Sequence, residues 1–217
     1  MKRLALVMAA LMGSSAWAAD TQTWNEVGVG YRASKTISAG LSGQLRFDQD
    51  LARLGAQMID SEVQWRAAKW LRLGLGYRLG SEKNKKDVDR SIRRVHVESR
   101  AQLKLGDFAL RYRLRLQDKT EEKKNGEEQT LSLRHLLGAN LKVSKAVRAG
   151  AGFELYTRFD GAVPSFLHKL RVTGSLRYKL SSKHSIKSFV RAQIPIRDAE
   201  DPIEQIIGLG YELSLKR

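Results

Sequence analysis

Arginine at every second position is the first pattern in this chain that could do chemistry. Arg111, Arg113 and Arg115 alternate with Tyr112 and Leu114, and Arg100 and Lys104 stand in the preceding stretch. Arg171, Arg177 and Lys179 form a similar row, and Arg72, Arg134, Arg148 and Arg191 hold equivalent positions elsewhere. A guanidinium donates two parallel hydrogen bonds to a carboxylate, phosphate or sulfate, so such rows suit anions. Their mutual repulsion is relieved when an anion enters. Arg72, Arg100, Arg111, Arg113, Arg115, Arg134, Arg148, Arg171, Arg177 and Arg191 are therefore the candidate anion-binding residues.

Other chemistry is poorly supported. The histidines are His96, His135, His168 and His184. In an extended strand His96 shares a face with Glu98, while Ser99 points to the opposite face. A Ser–His pair for a lipid hydrolase is thus excluded at this point, and no catalytic residue is assigned. No carboxylate and histidine group has metal-ligand spacing. The chain has no cysteine, which excludes thiolate metal sites, disulfides and a lipoprotein anchor. Gly74-x-Gly76-x-x-x-Gly80 has the wrong spacing for a nucleotide loop, and no helix follows it. No cofactor is expected. Residues 118–128 mix both charge signs and read as a solvated loop.

The elements that must carry the arginines follow from residues 69–80. There Leu71, Leu73, Leu75, Tyr77 and Leu79 alternate with Arg72, Gly74, Gly76, Arg78 and Gly80. A period of two is a strand with one apolar and one polar face. Eleven stretches share the pattern: 23–33, 37–48, 57–67, 70–80, 92–105, 108–118, 129–143, 147–158, 166–180, 184–196 and 203–216. Each is about the length that crosses a bilayer at a tilt. Tight connections, such as Ser34-Lys35, Gly106-Asp107 and Ser144-Lys145, alternate with longer polar ones at 48–56, 81–91, 118–128, 160–165 and 197–202. Short turns at one end and long loops at the other are the layout of a bacterial outer-membrane barrel. The spacing predicts an all-β, transmembrane, antiparallel up-and-down barrel. Single-chain barrels of bacteria have even strand numbers, so the expectation is 10–12 strands.

Within the hairpin 92–118, a two-residue turn at Gly106-Asp107 pairs Leu105 with Phe108. Glu98 then faces Arg115, a favourable pair, and Arg100 faces Arg113, a like-charge contact that calls for water or an anion.

A formal net charge of +16 and a pI of about 10.2 would ordinarily suggest nucleic acid or an anionic surface as partner. The N-terminus redirects that inference. Lys2 and Arg3 precede an apolar run from Leu4 to Met12, and Ala16-Trp17-Ala18 ends in a small-x-small pattern. This reads as a secretory signal peptide, residues 1–18, followed by the barrel, residues 19–217. Export excludes nucleic acid. The expected partners are membrane lipid and lipopolysaccharide, small anionic solutes and the outer-membrane assembly machinery.

Gly28-Val-Gly30-Tyr31, Gly74-Leu-Gly76-Tyr77, Gly150-Ala-Gly152-Phe153 and Gly208-Leu-Gly210-Tyr211 echo one another. Their glycines fall on the polar face, where an arginine from a neighbouring strand could lie across them. Trp24, Trp65, Trp70, Tyr77 and Tyr112 sit near strand ends or on the apolar face, as an aromatic girdle requires. The last strand alternates Tyr211, Leu213 and Leu215 and is similar to the terminal recognition strand of outer-membrane proteins, with Lys216-Arg217 in place of a terminal aromatic. T-W-N-E at 23–26, S-K-T-I-S-A-G-L-S-G-Q-L-R-F at 34–47 and A-K-W-L-R-L-G-L-G-Y at 68–77 together resemble an uncharacterised bacterial outer-membrane barrel family, one catalogued as a domain of unknown function. That resemblance implies the fold and the outer-membrane location, and supplies no activity. The functional expectation is a narrow anion-preferring channel for small acidic solutes. The alternatives are a closed structural or surface-interaction barrel, meeting lipopolysaccharide through Lys83, Lys85 and Lys86, and a lipid-modifying enzyme.

Overall fold

A computed structural model describes residues 20–49, 51–83, 88–123, 126–160, 163–196 and 202–216. The proposed signal peptide, Lys85, Lys86 and Arg217 lie outside the described residues. The alternating stretches form β1 (Asp20–Arg32), β2 (Ile37–Asp48), β3 (Arg53–Trp65), β4 (Leu71–Lys83), β5 (Asp89–Leu105), β6 (Phe108–Lys123), β7 (Gly126–Lys142), β8 (Val147–Asp160), β9 (Val163–Lys179), β10 (His184–Pro195) and β11 (Glu204–Lys216). They close into one barrel, each strand beside its sequence neighbours.

Sequence neighbours pair antiparallel, while β1 and β11 pair parallel from Asp20↔Glu204 to Arg32↔Lys216. An odd number of up-and-down strands forces this. The first and last strands then run the same way, so the closing pair cannot be antiparallel. Among the described residues the barrel has eleven strands, one for each alternating stretch and within the expected 10–12, against the even-number rule.

Period two sorts the side chains as expected. Val27, Leu41, Ile59, Val63, Leu75, Leu103, Leu137, Ile207 and Leu209 are exposed on the outer face. Glu98, Arg115, Arg134, Glu154 and Gln193 are buried inside. Trp24 is a correction: it is buried within the barrel, 6% exposed, and does not join an outer girdle. Trp65, Trp70, Tyr31 and Tyr178 do stand exposed at the tight-turn end.

Three of the tight turns, at Ser34, Ser144 and Ser181, share a mechanism. Ser34 Oγ accepts from the amides of Thr36 and Ile37 at 3.1 and 2.9 Å, and Ser144 and Ser181 do the same for their own turns. A serine hydroxyl there replaces a backbone acceptor. At the other end, strands run further than the apolar pattern suggested. Much of 118–128 is not loop: β6 continues to Lys123 and β7 begins at Gly126, whose φ of 122° suits glycine. Residues 160–165 likewise lie mostly within β8 and β9. Polar strands persist there because cross-strand ion pairs hold them, including Arg90–Glu121 at 2.6 Å and Arg158–Glu128 at 3.0 Å.

Candidate functional site: a charged layer inside the barrel

Antiparallel register places the side chains of the site. Glu98 pairs with Arg115, Arg100 with Arg113, and Leu105 with Phe108, as the hairpin geometry required. The like-charge contact is relieved by the protein's own carboxylates. Arg100 donates to Glu62 of β3 at 2.9 Å, and Arg113 donates to Glu154 of β8 at 2.5 Å. Both acids stand on strands remote in sequence, so the hairpin alone could not reveal them.

Three glutamates collect the arginines. Glu154, 4% exposed, accepts from Arg113, from Arg134 at 2.9 Å and from Arg171 at 3.3 Å, and Tyr156 donates its hydroxyl at 2.9 Å. Glu98 Oε2 accepts two bonds from Arg115, at 2.8 and 2.6 Å, and Glu98 Oε1 contacts Arg100. Glu62 is held by Arg100 and by Gln64. Burying these charges is tolerable because each carboxylate meets guanidinium forks rather than an empty interior.

The opposite wall is aromatic. Trp24, Phe189 and Ile206 form a buried cluster on β1, β10 and β11. The guanidinium carbons of Arg46, Arg191 and Arg171 lie 3.9, 4.9 and 5.5 Å from the Trp24 ring centre. Arg134 and Arg171 flank Tyr156 at 4.4 and 4.8 Å. Cation–π contact lets a guanidinium stay charged where water is scarce. Glycine makes room for the rings. A Cβ at Gly208 would lie 1.9 Å from the Phe189 ring, and one at Gly76 would lie 2.2 Å from the His96 ring. The expectation that arginine covers the glycines is thus corrected at these two positions, where a ring does so.

Glu62, His96 and Glu98 bring one potential ligand atom each within 4.8 Å of one another. His96 is 4% exposed, and neither ring nitrogen has a hydrogen-bond partner. Local spacing missed this group because Glu62 comes from β3. It does not suit a cation: Arg100 and Arg115 already match the two carboxylates, and an entering metal would meet both guanidiniums. Ser99 belongs to the outer-face set of β5, opposite His96, so these two form no nucleophile–base pair.

The candidate arginines divide into two groups. Arg100, Arg113, Arg115, Arg134, Arg171 and Arg191 belong to the charged and aromatic layer. Arg72, Arg111, Arg148 and Arg177 are exposed toward the tight-turn end. Of these, Arg177 pairs with Glu212 at 2.7 Å. Arg72, Arg111 and Arg148 have no hydrogen bond or ion pair among the described residues. Glycines and serines at 28, 30, 40, 42, 150, 175 and 210 line this half, so less side-chain bulk projects there than in the layer above it. The interior therefore divides into a basic half at the tight-turn end, called the cup below, and a layer of paired charges and rings beyond it. Such a cup can hold acidic groups by charge and bidentate hydrogen bonding.

A family model described as a protein of unknown function, DUF2490, matches residues 21–203. The fold is similar to the β domain of the Bordetella autotransporter Brka, with a TM-score of 0.50 and 12% identity, over 84% of this chain and 82% of that one. That likeness is one of fold. No curated protein matches the sequence.

Proposed function

The chain belongs to DUF2490, a family of proteins of unknown function, and from that premise we propose an outer-membrane barrel that holds small acidic solutes in a basic cup and is closed to through-flow at rest. The observation that carries this is the layer itself. Arginines and glutamates from β3, β5, β6, β7, β8 and β9 meet one another in the interior, and Trp24 and Phe189 fill the remaining wall. Eight-stranded barrels are filled by side chains and 16-stranded ones are open. At eleven strands, long arginines decide the outcome, and here they are drawn inward by carboxylates.

Residence in the outer membrane accords with the apolar outer face, the exposed aromatics at the tight-turn end and the export signal read at residues 1–18. Membrane lipid surrounds the barrel in this reading, the assembly machinery inserts it, and basic groups at the long-loop end, such as Lys83, are where lipopolysaccharide would touch. The protein should fractionate with the outer membrane and run on unboiled gels as a compact, heat-modifiable band. Recovery from the periplasm without detergent would overturn the placement.

The second reading is the narrow anion-preferring channel, favoured by Arg72, Arg111 and Arg148, which have no ion-pair partner among the described residues. Planar bilayers separate the two. The closed cup gives no steady current from well-inserted protein, whereas the channel gives a steady current whose reversal potential under a potassium chloride gradient favours chloride.

A further inference from the structure

Register brings a second group of basic residues together at the mouth of the cup. Arg32 of β1 pairs with Ser38 of β2, and Ser38 with Gln64 of β3. The turn between β1 and β2 is tied to β3 by the Arg66 amide, which donates to the Thr36 carbonyl at 2.7 Å. Arg72 enters from the start of β4. Between them lies a small recess, open to solvent, lined by Arg32, Lys35, Arg66 and Arg72 together with Ser34, Thr36, Ile37, Ser38 and Gln64. The lining contains four cations and no carboxylate.

Those four cations have no ion pair or hydrogen-bonding side-chain partner among the described residues. The nearest acid along β3, Glu62, is already held by Arg100 at 2.9 Å and by Gln64. This contrasts with the layer above, where every glutamate is shared by arginines. Arg111 and Arg148 also lack an ion pair among the described residues, but these four share the lining of one recess. Their convergence from β1, β4 and the two turns β1–β2 and β3–β4 costs repulsion, which a multiply charged anion removes. Three guanidiniums, an ammonium and hydroxyls surrounding a small volume match an ion with several terminal oxygens better than a planar carboxylate.

We propose that the recess bounded by Arg32, Lys35, Arg66 and Arg72 is a binding site for a phosphate group, either a free phosphate or the phosphomonoester headgroup of a lipid. Both sources are within reach. The recess opens into the cup, and the exposed rings of Tyr31, Trp65 and Trp70 stand on the neighbouring outer face, at the level where headgroups lie. The inference rests on reading the tight-turn half as a basic cup, but not on whether the barrel conducts.

The test uses the refolded full-length barrel in two arms. In the first, inorganic phosphate is titrated calorimetrically in zwitterionic detergent at constant ionic strength, with chloride as the comparison anion. Saturable phosphate binding is expected, weakened by about tenfold or more in R32Q/R66Q/R72Q. Lys142→Gln, at the tight-turn end of β7, should leave it unchanged. In the second arm, barrels in phosphatidylcholine nanodiscs with and without phosphatidic acid are examined by native mass spectrometry. Retention of phosphatidic acid by the wild type and its loss in the triple variant assign the site to lipid. Phosphate binding without lipid retention assigns it to a soluble phosphate. Heat-modifiable migration of each variant establishes that it is folded. The proposal is overturned if neither ligand distinguishes wild type from the triple variant, if Lys142→Gln weakens binding equally, or if chloride competes on equal terms with phosphate. Phosphate binding with a conducting wild type would retain the site while rejecting the closed cup.

Discussion

At the residue scale the barrel depends on which partner of an ion pair is shared. Glu154 serves Arg113, Arg134 and Arg171, so Glu154→Gln leaves three buried guanidiniums without their common counter-charge. Breaking a buried pair this way costs about 3–5 kcal/mol. Arg113→Leu removes one of three arginine donors and leaves Glu154 satisfied, so it should cost less, about 1.5 kcal/mol, the lower end for a hydrogen bond to a charged group. Urea unfolding of the refolded barrel measures both, and equal losses would mean that the sharing is not what stabilises the layer. A second pair of variants tests packing. Gly208→Ala sets a methyl against the Phe189 ring and should cost about 1–3 kcal/mol by overpacking. In the Phe189→Ala background the same change should be nearly neutral. The arginine rows were legible in the sequence because period two displays them within single strands. Their acids were not, since Arg100–Glu62 and Arg113–Glu154 join residues 38 and 41 positions apart. Nothing local announces which distant strand will stand across a barrel, and so the anion expected between Arg100 and Arg113 proved to be the protein's own carboxylates.

At the element scale, facing is set by the hydrophobic period and is unforgiving. Leu75 is 57% exposed on the outer face of β4, between Val63 and Val97 on the adjoining strands. Leu75→Arg should impair assembly by about 2–4 kcal/mol if it lies near the bilayer midplane. Arg113→Leu, on an inward face, should insert normally. The opposite outcome, with Arg113→Leu failing and Leu75→Arg inserting, would mean that every facing is inverted, because a slip of one residue exchanges the two faces. The strands and their facing were legible for this reason. Their ends at the long-loop side were not. Beyond the apolar belt a strand needs only backbone ladders and cross-strand pairs, so the charged segment through Glu121 and Glu128 has loop-like composition while extending β6 and β7. Trp24 was misplaced by a related ambiguity. Aromatics near strand ends suit a girdle, but its position beside Arg46 and one strand away from Gly208 provides an interior site for it.

At the scale of the whole molecule, the closure and the contents of the lumen determine what the barrel can do. The chain lacks cysteine, so an introduced pair reports the seam cleanly. Val29 and Leu213 are register partners across β1 and β11, close enough for a disulfide between neighbouring strands. V29C/L213C should cross-link on oxidation, and its failure in folded protein would mean that another strand separates them. The lumen offers the sharper test. Trp24 and Phe189 fill the wall of β1, β10 and β11, whose other inward residues include Gly28, Gly208 and Gly210, while the carboxylate pairs occupy the far side. W24A/F189A therefore removes bulk while leaving the pairs that hold Glu62 and Glu98 in place, and it meets the Glu154 group only through Arg171, 5.5 Å from the Trp24 ring centre. It also strips Arg46 and Arg191 of aromatic partners, leaving more positive charge along the opening. Fixed charge in a confined lumen is screened less than at an open surface, so it excludes cations and concentrates anions. Wild-type protein in a planar bilayer should be silent, and W24A/F189A should conduct with chloride preference. A steady wild-type current would replace the closed cup by the anion channel. A variant current preferring potassium would show that basic residues do not govern the pathway. Adding Glu154→Gln, which removes negative charge from the same level, should increase the chloride preference further if the far wall lines that path.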